Sequence, residues 1–525
     1  MKKLYFTFLT FFFLALSVFI HAQERYLEPI FDGNDVETVT YATNISVLTG
    51  SPEAVTLEAD IYTPAGDTAT NRPLFLYFHT GNFLPNPING STGGTRNDST
   101  VMEIVDRLTS LGYVVAVVEY RMGWNPLGDL DTRISTLLNA AYRGIQDARS
   151  AVRFFRKDAV DHGNNFGIDP NKIAYFGQGT GGYISLAAST LDAYQNILIP
   201  KFFEEDEDGN LVPYVIEQVH GDPFGTSDAA ISLANTVNYE DGTPINSDVQ
   251  LTVNIGGALA DTSWITPNNP PMISFHVPTD GFAPYTEGVL IVPTTGDQIV
   301  EVQGSYLVQY KANELGLNDV FINAGLDDPF THAANVNNDG FEGLFPFIRP
   351  IWTNPFNQQP APENAPWEWW DPEFWSTFDD FPHPSCPAGA PLSQCNFHII
   401  NSIVNQDMSP EKGRTYIDSI IVYLVPRAFV AFDLDVDTEV RDLNKADIDF
   451  TLYPNPSSGV FKLESEIDMP MLKIEIFDSN GRLIRSFDAG NFYQYQLNLE
   501  NFAKGMYYAR IHFDQGVLSE RLIVQ

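Results

Sequence analysis

Ile173-Ala174-Tyr175-Phe176-Gly177-Gln178-Gly179-Thr180-Gly181-Gly182 is the stretch on which the fold of this chain turns. Apolar residues make a short buried strand, and four of the next six residues are glycine. Glycines in such a run let the main chain turn sharply and let a strand and a helix approach closely. Residues 182–191 then read as a helix. Upstream, residues 55–62 alternate like a half-buried strand, while 73–79 and 113–119 are short apolar runs. Downstream, residues 251–255, 272–276 and 320–324 complete the predicted strands. Residues 100–111 and 140–156 carry apolar side chains at spacings of three and four, the period of a helix face. Strands alternating with helices predict an α/β domain, a mostly parallel sheet with helices on both faces.

The 173–182 segment is similar to the nucleophile elbow, G-x-S-x-G, of α/β-hydrolases of the carboxylesterase and acetyl-esterase type, and the resemblance extends over roughly residues 40–430. Gly177, Gly181 and Gly182 match its structural glycines. The position of the catalytic serine holds Gly179, which has no side chain to attack a carbonyl. Thr180 follows, and in the resembling family that residue gives its backbone N–H to the oxyanion. Ser185 lies more than a helical turn away, so neither hydroxyl replaces the missing one. His79-Thr80-Gly81-Asn82 resembles the HGGG-type oxyanion loop with one family glycine kept, so Gly81, Asn82 and Thr180 are the expected donors. Asp280, in His276-Val277-Pro278-Thr279-Asp280, matches the family acid, with His276 structural. His332 matches the general-base histidine by order, with His383 and His398 as competitors. Tyr120-Arg121 and Asp147 match residues that stabilise the region under the elbow, and an Arg121–Asp147 ion pair is expected.

Two long segments, 195–248 and 345–408, interrupt the alternation and read as insertions that cover the domain. The first holds Asp206-Glu207-Asp208-Gly209-Asn210, which lacks the full ligand spacing of a calcium loop and reads as a solvated acidic turn. The second holds Trp367, Trp369, Trp370 and Trp375, read as a packed lid, with sugar stacking as the alternative. Cys386 and Cys395 are the chain's two cysteines, and an exported chain makes them an expected local disulfide rather than a metal site. No metal or cofactor is expected.

Residues 1–22 read as a secretory signal: Lys2 and Lys3, an apolar run, then Ala22 before the expected cut. No later segment is long and apolar enough to span a membrane. The formal net charge of −38 repels phosphate backbones and anionic lipids, which argues against nucleic acid as a partner. The hydrolase-like domain is expected over 23–430 and a linker over 431–449. From residue 450 short alternating strands and turn residues, such as Asn480-Gly481 and Asp514-Gln515-Gly516, predict a small β-sandwich. Leu452-Tyr453-Pro454-Asn455-Pro456, Gly505-Met506-Tyr507-Tyr508 and Arg521-Leu522-Ile523-Val524 make residues 450–525 resemble a type A sorting domain of the type IX secretion system. That resemblance implies the type IX machinery as partner, removal of the domain, and a secreted or cell-surface product.

Catalysis is left open by these residues. A degenerate hydrolase that binds an ester, a carbohydrate or a partner in the old cleft is the leading reading. An active ester hydrolase of unusual mechanism and a surface scaffold or adhesion protein are the alternatives. Mass spectrometry of the exported protein is expected to find it without residues 1–22 and without most of 450–525. An exported chain still ending at Gln525 would contradict this.

Overall fold

Eight strands form the sheet to which the 173–182 segment belongs: β1 (Asn34–Ser46), β2 (Glu53–Pro64), β3 (Arg72–Phe78), β4 (Val114–Val118), β5 (Ile168–Gln178), β6 (Leu251–Ile255), β7 (Met272–His276) and β8 (Leu344–Pro346). Their order across the sheet is β1-β2-β4-β3-β5-β6-β7-β8. β1 and β2 run antiparallel, as do β2 and β4, and every other neighbouring pair is parallel. This is a computed structural model. It describes residues 25–206, 208–291, 298–434, 445, 450–465, 470–478, 483–513 and 516–525. The signal segment, most of the expected linker, Glu207, the Asn480-Gly481 turn and the Asp514-Gln515 pair lie outside the described residues.

The unbroken apolar runs are explained by burial on both faces. All of β3 is buried. Leu74, Leu76 and Phe78 face the core shared with α2 (Leu130–Asp161) and α3 (Thr180–Thr190). Phe75 and Tyr77 face the opposite core, shared with α1 (Ser99–Ser110) and α4 (Pro410–Ala431). β1 escapes the sequence pattern because it is an edge strand with many exposed polar residues.

One expected strand is wrong. Residues 320–324 lie in a short helix, Asp319–Ala324, closed by Gly325 in the left-handed region (φ 61°). A five-residue run with four apolar side chains fits either period, and the flanking Asp and Gly favour a helix. The sheet is completed by β8 instead.

Both insertions are held by buried charge. Among the described residues Arg149, Arg153 and Arg156 on α2 hydrogen-bond no carboxylate and donate to main-chain carbonyls. Arg149 bonds Leu191 (2.8 Å), Arg153 bonds Phe224 (2.7 Å), and Arg156 bonds Asn246 (2.6 Å) and Asp248 (2.8 Å). In the second insertion Glu363, fully buried, accepts from both Arg349 and Lys412 and so fastens the segment to α4. Trp370, Trp375 and Phe397 form a separate small core there, and Cys386 is bonded to Cys395. Asp206 accepts from the amides of Asp208 (2.9 Å) and Asn210 (2.8 Å), closing the acidic turn on itself. Among the described residues no group of three or more His, Cys, Asp or Glu is arranged to hold a metal, and no helix is long and apolar enough to cross a membrane.

The chain divides into two units, one up to Leu434 and one from Asp435. In the second, a three-stranded sheet (Thr451–Tyr453, Val460–Glu464, Gln494–Asn498) and a four-stranded sheet (Met471–Asp478, Leu483–Phe492, Gly505–Phe513, Gly516–Val524) enclose a core including Phe461, Ile474, Leu497 and Ile511.

Arg121 and Asp147 are paired with no solvent exposure of either side chain. Asp147 accepts from the Arg121 amide (2.8 Å) and Nε (2.9 Å), and Arg121 also bonds Asn44 (3.0 Å) and Gln146 (2.9 Å). Removing one partner strands the other charge in the core. Asp147→Asn is therefore expected to lower the urea-unfolding free energy by about 3–5 kcal/mol. A change below about 1 kcal/mol, the size of an exposed pair, would contradict the assignment.

Candidate functional site

β5 ends at Gln178 and α3 begins at Thr180, with Gly179 between them at φ 54° and ψ −114°. That is the first central position of a type II′ turn, where glycine is the strain-free residue. The Gly179 amide donates to the Ile255 carbonyl (2.7 Å), and its carbonyl accepts from Gly182 (2.9 Å). The neighbouring glycines are fixed by crowding. A Cβ on Gly177 would lie 2.0 Å from the Gly181 oxygen, one on Gly181 1.9 Å from the Phe78 oxygen, and one on Gly182 2.2 Å from Asn254 Oδ1. Ser185 is buried beneath this turn, its hydroxyl without a partner.

Above Gly179 lies a cavity of about 380 Å³. Thr80, Gly81 and Asn82 border it on one side, Asp280 and Phe282 on another, and Trp367, Glu368 and Trp370 of the second insertion cover it. Thr80 stands where an elbow side chain would begin: a Cβ on Gly179 would be 2.4 Å from Thr80 Oγ1 and 3.1 Å from its Cβ. Of the expected oxyanion donors, the Asn82 amide is already committed, to Thr180 Oγ1 at 2.7 Å. His79 packs behind the loop, its Nδ1 2.6 Å from the Thr80 carbonyl, and burial lowers its pKa.

Asp280 lines the same cavity as Gly179. Its Oδ1 accepts from the amides of Phe282 (2.7 Å) and Ala283 (3.1 Å), and burial pushes its carboxyl up to about 7. Its Oδ2 is 3.9 Å from His276 Nε2. His276 donates to the Ala283 carbonyl (3.0 Å) and bonds Ser305 Oγ (2.7 Å), and burial pushes its pKa down to about 4. It is a neutral packing histidine.

His332 is not brought to Gly179 and Asp280. It sits on the short helix Pro329–Asn335 with its side chain 67% exposed, bonded to Asp327 at 2.8 Å. The physical reason is the helix at 319–324: no strand there delivers the following loop to the edge where β5 and β7 end. His383 does line the cavity, but both its nitrogens are used. Nε2 donates to the Gly90 carbonyl (2.9 Å) and Nδ1 accepts from the Ser385 amide (3.0 Å). His398 is held by Trp370 Nε1 at 3.2 Å. Among the described residues lining the cavity, no imidazole nitrogen is free to act as a base.

Glu368 was missed by the sequence reading. It accepts from Gln178 Nε2 at 2.7 Å, and burial with the nearby Asp98 charge pushes it up to about 7. Its one sequence signal is a lone carboxylate between tryptophans, in a segment read as packing.

Residues 59–294 match the BD-FAE family, and residues 451–525 match the secretion system C-terminal sorting domain. The bile salt-activated lipase of Homo sapiens is 28% identical over 165 residues, 31% of this chain and 20% of the lipase. The chain therefore spans about a fifth of that relative's length. Among solved structures, Thermogutta terrifontis esterase 2 phosphorylated by paraoxon is 18% identical over 49% of this chain and 75% of its own, with a TM-score of 0.27. MGS-M1, an α/β hydrolase from a Medee basin deep-sea metagenome library, is 15% identical over 48% and 73%, with a TM-score of 0.26. Scores this low support no residue-by-residue correspondence.

The two raised carboxyls have a consequence for stability. Each is protonated in the fold between its ordinary value (3.8 for Asp280, 4.5 for Glu368) and about 7, while the unfolded chain is ionised there. Their contribution is greatest at low pH, falls as pH rises to about 7, and is level above it. Asp280→Asn with Glu368→Gln is expected to gain melting temperature relative to the wild type as pH rises from 5 to 8. A constant difference across that range would contradict the shifts.

Proposed function

The chain joins an esterase-like α/β-hydrolase domain to a C-terminal secretion sorting domain, and from that premise we propose that it is an exported hydrolase homologue that binds a small molecule without cleaving it. The observation that carries this reading is the pair Gly179 and Thr80. The elbow keeps the turn that presents a nucleophile, yet it carries no side chain, and the space in front of it holds Thr80. Covalent acyl transfer needs an activated hydroxyl, a base within hydrogen-bond reach and open oxyanion donors. Thr80 has a hydroxyl, but the described cavity offers no free imidazole to activate it, and the Asn82 amide is committed. What remains is a half-open cavity lined by aromatic side chains and a few polar groups, the ordinary form of a ligand site.

A second reading, an ester hydrolase of unusual mechanism, is favoured by one observation. Asp280 and Glu368 are held near neutrality, where a carboxyl can pass a proton to or from water. Assay of p-nitrophenyl acetate and butyrate separates the two. The binding reading expects release no faster with the purified protein than with its Asp280→Asn variant. Turnover by the wild type that Asp280→Asn abolishes would establish the second reading instead.

The elbow gives an independent check. Gly179→Ser puts an L-residue at positive φ and presses on Thr80, and is expected to cost about 1–3 kcal/mol in stability. Adding Thr80→Gly is expected to recover part of that loss, and neither variant is expected to hydrolyse esters. Hydrolysis appearing with Gly179→Ser alone would mean that a base reaches the elbow after all.

A further inference from the structure

Two carboxyls, Asp280 and Glu368, share the cavity above Gly179, and no lysine or arginine appears among its described lining residues. The Asp280 side chain is only 5% exposed. Its Oδ1 is satisfied by two amides, while Oδ2 accepts no hydrogen bond among the described residues and lies 3.9 Å from the neutral His276 imidazole, with Tyr183 also close. Among the described residues the Glu368 carboxylate accepts one hydrogen bond, from Gln178. A buried carboxylate without a cation is costly, by several kcal/mol in real interiors. Elsewhere this chain avoids that cost, as where Glu363 takes both Arg349 and Lys412.

The cavity the two carboxyls share is largely aromatic. Trp124, Trp367 and Trp370 line the cavity with Phe83, Tyr183 and Phe282. Trp124 is fixed by its bond to the Asn82 carbonyl (2.8 Å) and Trp370 by its bond to His398 (3.2 Å), so their rings are held in place before a ligand arrives. Tyr183 Oη is buried with no partner among the described residues. Indole faces attract a weakly hydrated cation, and the attraction grows when water is excluded.

We propose that this cavity takes a small organic cation of the alkylammonium class, seated against the indole walls with Asp280 and Glu368 as its counter-charges. The inference rests on the ligand-binding reading above and names the ligand class of that same site. A cation supplies the partner that both carboxyls lack, and a quaternary ammonium gives up little hydration on entering. The titratable groups facing the pair are His276 and Tyr183 beside Asp280, Asp98 near Glu368, and His383 in the cavity wall. None of these is a competing cation: burial lowers both histidines. Affinity is expected to rise with pH as the carboxyls ionise above about 7.

Calorimetric titration with choline and with 3,3-dimethylbutan-1-ol, which has the same shape without the charge, tests this on the purified protein. At pH 8 choline is expected to bind at least about tenfold more tightly than the alcohol, with the gap narrowing at pH 6. Asp280→Asn and Glu368→Gln, checked for folding by their melting curves, are each expected to weaken choline by about tenfold and leave the alcohol unchanged. The wild-type comparison needs no variant to fold. Equal binding of the two compounds would overturn the cation inference while leaving a ligand-binding cavity, and binding of neither would overturn it as well. Ester turnover by the wild type would instead count against the underlying reading, so the two failures are distinguishable.

Discussion

Main-chain crowding where β5 passes into α3 is the constraint on which the rest of this structure depends. At Gly177, Gly181 and Gly182 there is no room for a Cβ, because strand, turn and helix are pressed against β3 and β6. This closeness sets the start of α3 over the edge where the parallel strands end, the place where ligands bind in open α/β sheets. Gly179 belongs to the turn for a different reason. Its φ of 54° is costly for any residue with a side chain. An enzyme that uses a serine there carries the strain as part of its mechanism. Glycine at this position avoids that strain, and the space in front of it holds the neighbouring Thr80.

The treatment of buried charge separates scaffold from site. Arg121 and Asp147 satisfy one another, and Arg153 and Arg156 of α2 spend donors on carbonyls of the first insertion. Glu363 accepts two cations where the second insertion meets α4. Asp280 and Glu368 have no such partner and are held near neutrality by burial. Carboxyls left without a cation in one cavity, in a domain that bonds its other buried charges, are what the ligand-binding proposal rests on.

Much of this was legible in the sequence because it rests on local pattern. The 173–182 run announced strand, turn and helix, and the two-sided apolar strands announced a parallel sheet. Arg121 and Asp147 were readable as partners because Tyr120-Arg121 and Asp147 match residues of the esterases the chain resembles. His332 was misjudged because 320–324 fits a strand and a helix equally well, and the helix moves everything after it away from the site. Glu368 was hidden because an irregular insertion has no period from which to read a direction. Thr80 could be seen as a departure from a glycine loop, but its position against Gly179 is a contact between strands distant in sequence, which no local pattern reveals.

The central claim is that the elbow offers no activated hydroxyl, neither at Gly179 nor at Thr80. Intact-mass measurement after treatment with an excess of a fluorophosphonate, followed by peptide mapping, tests it most directly. The account predicts an unmodified chain. A stoichiometric adduct mapped to Thr80 would contradict it, and would mean that the threonine has taken the nucleophile's role as well as its place.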